Sequence, residues 1–137
     1  MALNFIRDVH HVAIICSDYK RSKQFYTEIL GFSIIRETYR QARQSYKLDL
    51  RVGNPDATSD YVAIELFSFP KPPPRPSRPE AQGLRHLSFA VDDLEGAIAH
   101  LNQSGVKTEP IRLDELTGKR FTFFQDPDAL PLELYEI

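Results

Sequence analysis

The sequence predicts an α+β fold: two β-α-β-β-β modules within a single domain spanning residues 1–137. Three observations carry that prediction. Short β-branched and aromatic runs are interleaved with two helical stretches of amphipathic spacing. A proline-rich break divides the chain near its middle. The order of elements before the break then returns after it, the signature of an internal repeat.

Residues 9–15 form a short β-branched run, and Ser17 or Asp18 follows with a side-chain oxygen able to cap a helix. In "SDYKRSKQFYTEILG" the residues Ser22, Phe25, Tyr26 and Ile29 recur at helical spacing, and Gly31 supplies the stop, so one helix is expected. Strands are expected over 32–39, 45–52 and 61–67, with "GNPDATSD" as the loop before the last. The first module therefore covers residues 5–69. The stretch "FPKPPPRPSRPE" holds six of the ten prolines and lacks the amide donors that a helix or central strand needs. Residues 70–83 are expected to be a stiff linker. The second module, 84–137, restarts with a strand over 84–91, a cap at Asp92 or Asp93, and the helix "LEGAIAHLNQSG" ended by Gly105. A weak strand over 106–111, a stronger one over 119–125, a "DPDA" turn and a last strand over 130–137 complete it.

Composition narrows the function classes. With 42% hydrophobic and 26% charged residues and a net charge of −2, the chain is an ordinary globular protein with no electrostatic footprint for nucleic acid or anionic membrane. A single cysteine, Cys16, excludes an internal disulfide framework and fits a reducing compartment. No stretch approaches the ~20 apolar residues of a membrane span, and no basic region followed by an apolar run opens the chain. A cytoplasmic location is expected.

The repeat singles out four polar residues. His11 precedes Asp18 by seven residues and His86 precedes Asp93 by seven; "IELF" at 64–67 is echoed by "LELY" at 132–135. Strand side chains alternate between faces, so Glu65 opposes Ile64 and Leu66, and Glu133 opposes Leu132 and Leu134. Each module thus offers one histidine on its first strand and one glutamate on its last. If the apolar faces pack under the helices, His11, Glu65, His86 and Glu133 point to the other side. Two imidazoles and two carboxylates suit one borderline divalent cation per site, Ni²⁺, Zn²⁺, Mn²⁺ or Fe²⁺, with coordination positions left for substrate or water. His10 and His100 have no counterpart in the repeat, and "DPD" at 126–128 reads as a proline turn.

These segments carry a family resemblance. "HHVAIICSDYKRSKQFYTEILGF", "GLRHLSFAVDDL" and "FTFFQDPDALPLELYEI" resemble the opening, the second module and the closing strands of the vicinal oxygen chelate superfamily, most similar to its glyoxalase I branch. The resemblance covers nearly the whole chain. It implies paired modules forming an open, barrel-like mixed sheet around a divalent metal, with helices outside. Carried across, the metal ligands are His11, Glu65, His86 and Glu133, the four that the repeat selects. It also implies a lyase or isomerase acting on a small substrate with vicinal oxygens through an enediolate, with Glu133 as the base and Glu65 as the alternate.

Two departures bear on the substrate. Glyoxalase I enzymes of this kind carry an arginine four residues after the first ligand and an asparagine four after the first glutamate; here those positions are Ile15 and Phe69. Both changes remove polar contacts to the peptide part of a glutathione adduct. The remaining candidates for substrate contact are Arg36, Arg40, Arg43, Tyr46, Lys119 and Arg120, which suit a carboxylate or phosphate. Three other functions known in such folds are weighed against this one: an Fe²⁺ extradiol-type dioxygenase, a metal-dependent thiol transferase acting on an antibiotic, and a non-catalytic drug-sequestering protein. The first two use three ligands and the last none, so a fourth, Glu65, favours the isomerase. Because each module is too small to close its own sheet, a homodimer is expected.

Overall fold

The computed structural model describes residues 3–137. It divides into two compact units, one ending at Pro72 and the other beginning at Pro73. The first unit runs β1 (His11–Cys16), α1 (Tyr19–Gln24), β2 (Ser33–Arg40), β3 (Ser45–Arg51) and β4 (Ala63–Ser68). The second runs β5 (Leu87–Val91), α2 (Leu94–Gln103), β6 (Arg112–Leu113), β7 (Arg120–Gln125) and β8 (Pro131–Glu136). The sheets have the same topology, β1-β4-β3-β2 and β5-β8-β7-β6, with the first and last strands of each unit parallel and the remaining pairs antiparallel. Two mixed four-stranded sheets with few helices make the chain α+β, as the repeat predicts.

In both units an aspartate starts the helix. Asp18 Oδ1 accepts from the Arg21 amide at 3.1 Å and Asp93 Oδ1 from the Gly96 amide at 3.0 Å, each satisfying an otherwise orphaned donor. The first helix departs from the single regular helix expected. After Gln24 the turn widens into a π-helix over Phe25–Ile29, in which the Leu30 amide donates to the Phe25 carbonyl at 2.9 Å. This wider turn accompanies the burial of two adjacent rings, Phe25 and Tyr26.

One face of the first sheet is apolar. Ile14, Cys16, Leu48, Leu50, Ile64 and Leu66 are buried on it, and each fully buried leucine or isoleucine contributes about 1.5–3 kcal/mol. That face lies toward α1: Tyr19 stacks on Tyr46 with ring centres 4.5 Å apart, and Lys23 binds Glu37 of β2. In the second unit Leu132, Leu134, Thr122 and Phe124 are the buried counterparts.

One expectation shifts. The strand over 106–111 is replaced by the two residues of β6; Glu109 still donates its amide to the Phe123 carbonyl at 2.9 Å, but Pro110 has no N–H with which to extend the ladder. The proline-rich segment makes contacts of its own. From Pro73 it belongs to the second unit, where Arg75 donates to the Leu84 carbonyl at 2.7 Å and Ser77 to the Ala129 carbonyl at 2.8 Å. Among the described residues no helix is long and apolar enough to cross a membrane.

Candidate functional site

Strand register decides which side chains share a face. In the first unit Ala13 pairs with Glu65, and Glu65 with Asp49; His11, two residues before Ala13, is on the same side. The second unit repeats this: Ser88 pairs with Glu133, Glu133 with Phe123, and His86 immediately precedes β5. In each case the face is the one opposite the buried leucines.

The two pairs are near copies. His11 Nε2 stands 3.6 Å from Glu65 Oε2, and His86 Nε2 stands 3.7 Å from Glu133 Oε1. Both separations exceed hydrogen-bonding distance, so each nitrogen faces a carboxylate oxygen without being satisfied by it. The glutamate side chains are 15% and 11% exposed, more sheltered than the histidines at 40% and 25%. Within each unit the pair is not extended to three or more His, Cys, Asp or Glu side chains able to hold a metal ion among the described residues.

Neighbours differ between the units. His11 Nδ1 lies 2.9 Å from His10 Nδ1, so one ring donates and the other accepts. Lys47 Nζ reaches Asp49 Oδ1 at 3.4 Å and Glu65 Oε1 at 3.7 Å, and Arg36 Nε lies 3.6 Å from Asp49 Oδ2. In the second unit His86 meets the edge of Phe123, ring centres 4.9 Å apart, and Arg85 lies at 3.4 Å from its Nδ1. Glu133 carries no ion pair besides that with His86 among the described residues. Lys47, Asp49, His10 and Phe123 are the neighbours that reading the repeat leaves out; the alternation in "YKLDL", with Lys47 and Asp49 opposing Leu48 and Leu50, is the signal that finds two of them.

The basic and tyrosine candidates separate into groups. Arg36, Arg40 and Lys47 share the Glu65 face through the register of β2 and β3. The Arg40 guanidinium sits over Phe67 at 4.8 Å and over Phe69 at 5.6 Å, and that of Arg43 over Phe69 at 5.2 Å. Tyr46 is on the opposite face, packed between Tyr19 and Tyr39. Arg120 also lies on its unit's helix side, gripped by Glu95 of α2 and by Glu136; these hydrogen bonds raise its pKa and hold both carboxylates below the usual range. Lys119 is exposed just before β7.

The profile of the Glyoxalase/Bleomycin resistance protein/Dioxygenase superfamily matches residues 8–134, almost the whole chain. The chain belongs to that superfamily. Its relatives include uncharacterized protein YwkD of Bacillus subtilis, 61% identical over 96% of this chain and 98% of its own, and uncharacterized protein YaeR of Escherichia coli, 60% identical over 96% and 97%. A solved glyoxalase family protein from Enterococcus faecalis is 49% identical, with a TM-score of 0.84 over 96% of this chain and 99% of its own. More distant are a 2-epi-5-epi-valiolone epimerase of an Actinomyces species, 28% identical over 94% of this chain and 79% of its own, and a lactoylglutathione lyase of Schizosaccharomyces pombe, 27% identical over 92% and 46%. Superfamily members are often metal-dependent enzymes, act on small molecules and are commonly dimers.

Proposed function

We propose that the chain is a metal-dependent lyase or isomerase of glyoxalase I type, acting through an enediolate on a small substrate with vicinal oxygens. The observation that carries this reading is the His–Glu pair repeated at matching positions in the two units, His11 with Glu65 and His86 with Glu133. Two imidazole nitrogens and two carboxylate oxygens are a fitting donor set for one divalent cation, Ni²⁺, Zn²⁺, Mn²⁺ or Fe²⁺, and these four residues would hold it. When bound, such a cation supplies Lewis-acid charge that lowers the cost of an oxyanion developing on the substrate.

The remaining chemistry is proton movement. A glutamate takes the proton from the carbon beside the carbonyl, then returns it to the neighbouring carbon or to the opposite face of the same one, giving an isomerised 2-hydroxy acid derivative or an epimer. Glu133 is the better base, because Glu65 has the Lys47 ammonium 3.7 Å from its Oε1, whereas Arg85 attracts Glu133 without an ion pair between them among the described residues. Glu65 is the alternate. The reaction names of the two distant relatives, epimerase and lyase, stand beside this reading. Apolar Ile15 and Phe69 speak against glutathione as the carrier.

Hydrogen exchange followed by NMR in D₂O tests the assignment, using metal-loaded protein with a panel of 2-oxoaldehyde thiol adducts and 2-hydroxy carbonyl compounds. Glu133→Gln keeps size and one oxygen but accepts no proton, so exchange falls by about 10²-fold or more. Deuterium uptake that survives in this variant removes Glu133 as the base, and oxygen consumption with a catechol hands the site to a dioxygenase. We also take the protein to be a homodimer; a monomer mass by light scattering at micromolar concentration refutes that.

A further inference from the structure

We propose that Arg40 and Arg43 form an oxyanion subsite on the Glu65 side of the first unit, taking the carboxylate or phosphate of a small carbonyl substrate. The proposal rests on the enediolate reading for the carbonyl part of the ligand; the anion part stands on the geometry of the arginines.

Each guanidinium is positioned by an aromatic face. Phe67 and Phe69 are stacked with their planes 7° apart and centres 5.9 Å apart; Arg40 lies over both and Arg43 over Phe69. Cation–π stacking holds an arginine in place without using its N–H groups, so the donors stay available. Of the five N–H donors on a guanidinium, Arg40 spends one on Ser45 Oγ at 3.0 Å, and its Nε is buried without a hydrogen-bond partner. Nε is buried in Arg51 and Arg75 in the same way, so the Nη donors of Arg40 are the ones open to an acceptor from outside.

Missing counter-charge is the second argument. Arg36 has Asp49, Arg85 has Glu80 and Arg120 has Glu95 and Glu136. The closest comparison is Arg112, which also sits over two phenylalanines, Phe121 at 5.3 Å and Phe123 at 5.2 Å, yet is paired with Glu109 at 3.3 Å. Among the described residues Arg40 and Arg43 have no carboxylate partner; Arg51, over Tyr61, and Arg75 lack one too, but only Arg40 and Arg43 share one phenylalanine ring. Two arginines that share the Phe69 ring and are left without an anion make a place for one, and planar forks match carboxylate and phosphate oxygens.

Position supplies the substrate class. Phe67 follows Glu65 by two residues on β4 and therefore shares its face, about 7 Å along the strand. Its register partners are Ile15 on β1 and Lys47 on β3. The way from Glu65 to the arginines thus runs past Phe67, with apolar Ile15 on one flank and Lys47 on the other, and ends in cations. That suits a short acid or phosphomonoester carrying its anion a few bonds from the reacting carbonyl, rather than a tripeptide adduct with several amides to satisfy.

The test uses the full chain stripped of metal by chelation, so that binding at the arginines is read apart from the carbonyl chemistry. Inorganic phosphate and acetate are titrated at low salt by calorimetry. Saturable binding of either is expected, weakened about tenfold in Arg40→Gln or Arg43→Gln, lost in the double variant and unchanged in Arg112→Gln. Tighter phosphate binding assigns a phosphomonoester, and tighter acetate binding a carboxylate. No binding of either probe, or unchanged binding in a double variant whose thermal melt is native-like, overturns the subsite. Should the double variant not fold, the guanidinium N–H resonances of Arg40 and Arg43 in the unmodified protein decide: some of them must move on adding the preferred anion, and resonances that all stay put overturn the proposal. Failure of hydrogen exchange with intact anion binding sinks only the enediolate reading.

Discussion

Lys47 Nζ lies 3.7 Å from Glu65 Oε1, on the same side of β3 and β4 as His11. A fixed cation beside one member of the proposed donor set opposes a second, divalent one, and its partial burial limits screening. Lys47→Met keeps the aliphatic stem and removes the charge. Divalent metal affinity is expected to rise by about fivefold, equivalent to ~1 kcal/mol. Competition against a chromogenic chelator measures this directly, and weaker binding in Lys47→Met shows that the lysine orients Glu65 more than it repels the ion.

The four-residue donor set makes a stronger demand on the histidines. A missing imidazole is not replaced by the three side chains that remain, so His86→Ala should bind metal far less tightly and the His11→Ala, His86→Ala pair should bind none. Metal content by elemental analysis after gel filtration is the readout, with one divalent ion expected per His11, Glu65, His86 and Glu133 set. Unchanged occupancy in the double variant would falsify the assignment.

Both His–Glu pairs were legible because a parallel first and last strand carry equal alternation, so matching the repeat also matches the face: Glu65 aligns with Ala13 and Glu133 with Ser88. The same rule, applied to Tyr46 and Arg120, separates them from the glutamates. Tyr46 keeps step with Leu48 and Leu50, and Arg120 with Thr122 and Phe124, all on the helix side. Other features were out of reach. The π-turn at Phe25–Ile29 depends on which carbonyl the Leu30 amide selects, and so short a stretch of periodicity does not distinguish a bond to the fourth from one to the fifth residue back. The cation–π seat of Arg40 and Arg43 depends on Phe67 and Phe69, more than twenty positions away in the chain.

Acid should loosen the contact between α1 and β2. Glu37 accepts from Lys23 Nζ at 2.7 Å and from the Tyr19 hydroxyl, and these bonds, that of Lys23 first, hold its carboxyl below the usual range. Burial, then the Glu37 bond, pushes the Tyr19 phenol up. For a carboxyl depressed in the folded state, the stabilisation is present above the unfolded pKa and lost as pH falls through the folded one. Urea midpoints between pH 7 and pH 3 should fall more steeply for the unmodified protein than for Glu37→Gln, with the two converging at the acid end. The effect is small because the pair is solvent-screened. Parallel curves throughout that range dismiss the linkage.

Ala129 holds the turn that sets the register of β8 and hence of Glu133. Its φ is +66°, in the left-handed region that costs a residue with a Cβ about 1–2 kcal/mol. Several bonds fix it there: Asp126 Oδ1 accepts from the Asp128 amide at 2.8 Å and the Leu130 amide at 2.9 Å, the Ala129 amide donates to the Asp126 carbonyl at 3.1 Å, and Ser77 donates to the Ala129 carbonyl. Ala129→Gly relieves the strain but frees the unfolded chain by about 0.5–1 kcal/mol, so a net gain of roughly 0.5–1 kcal/mol is expected. Ala129→Val brings a β-branched side chain to the same φ and should destabilise. Urea unfolding of the three proteins gives the order Gly, Ala, Val from most to least stable. A valine variant as stable as the glycine one would mean that the turn relaxes out of the left-handed region, in which case β8 and Glu133 are not held by it.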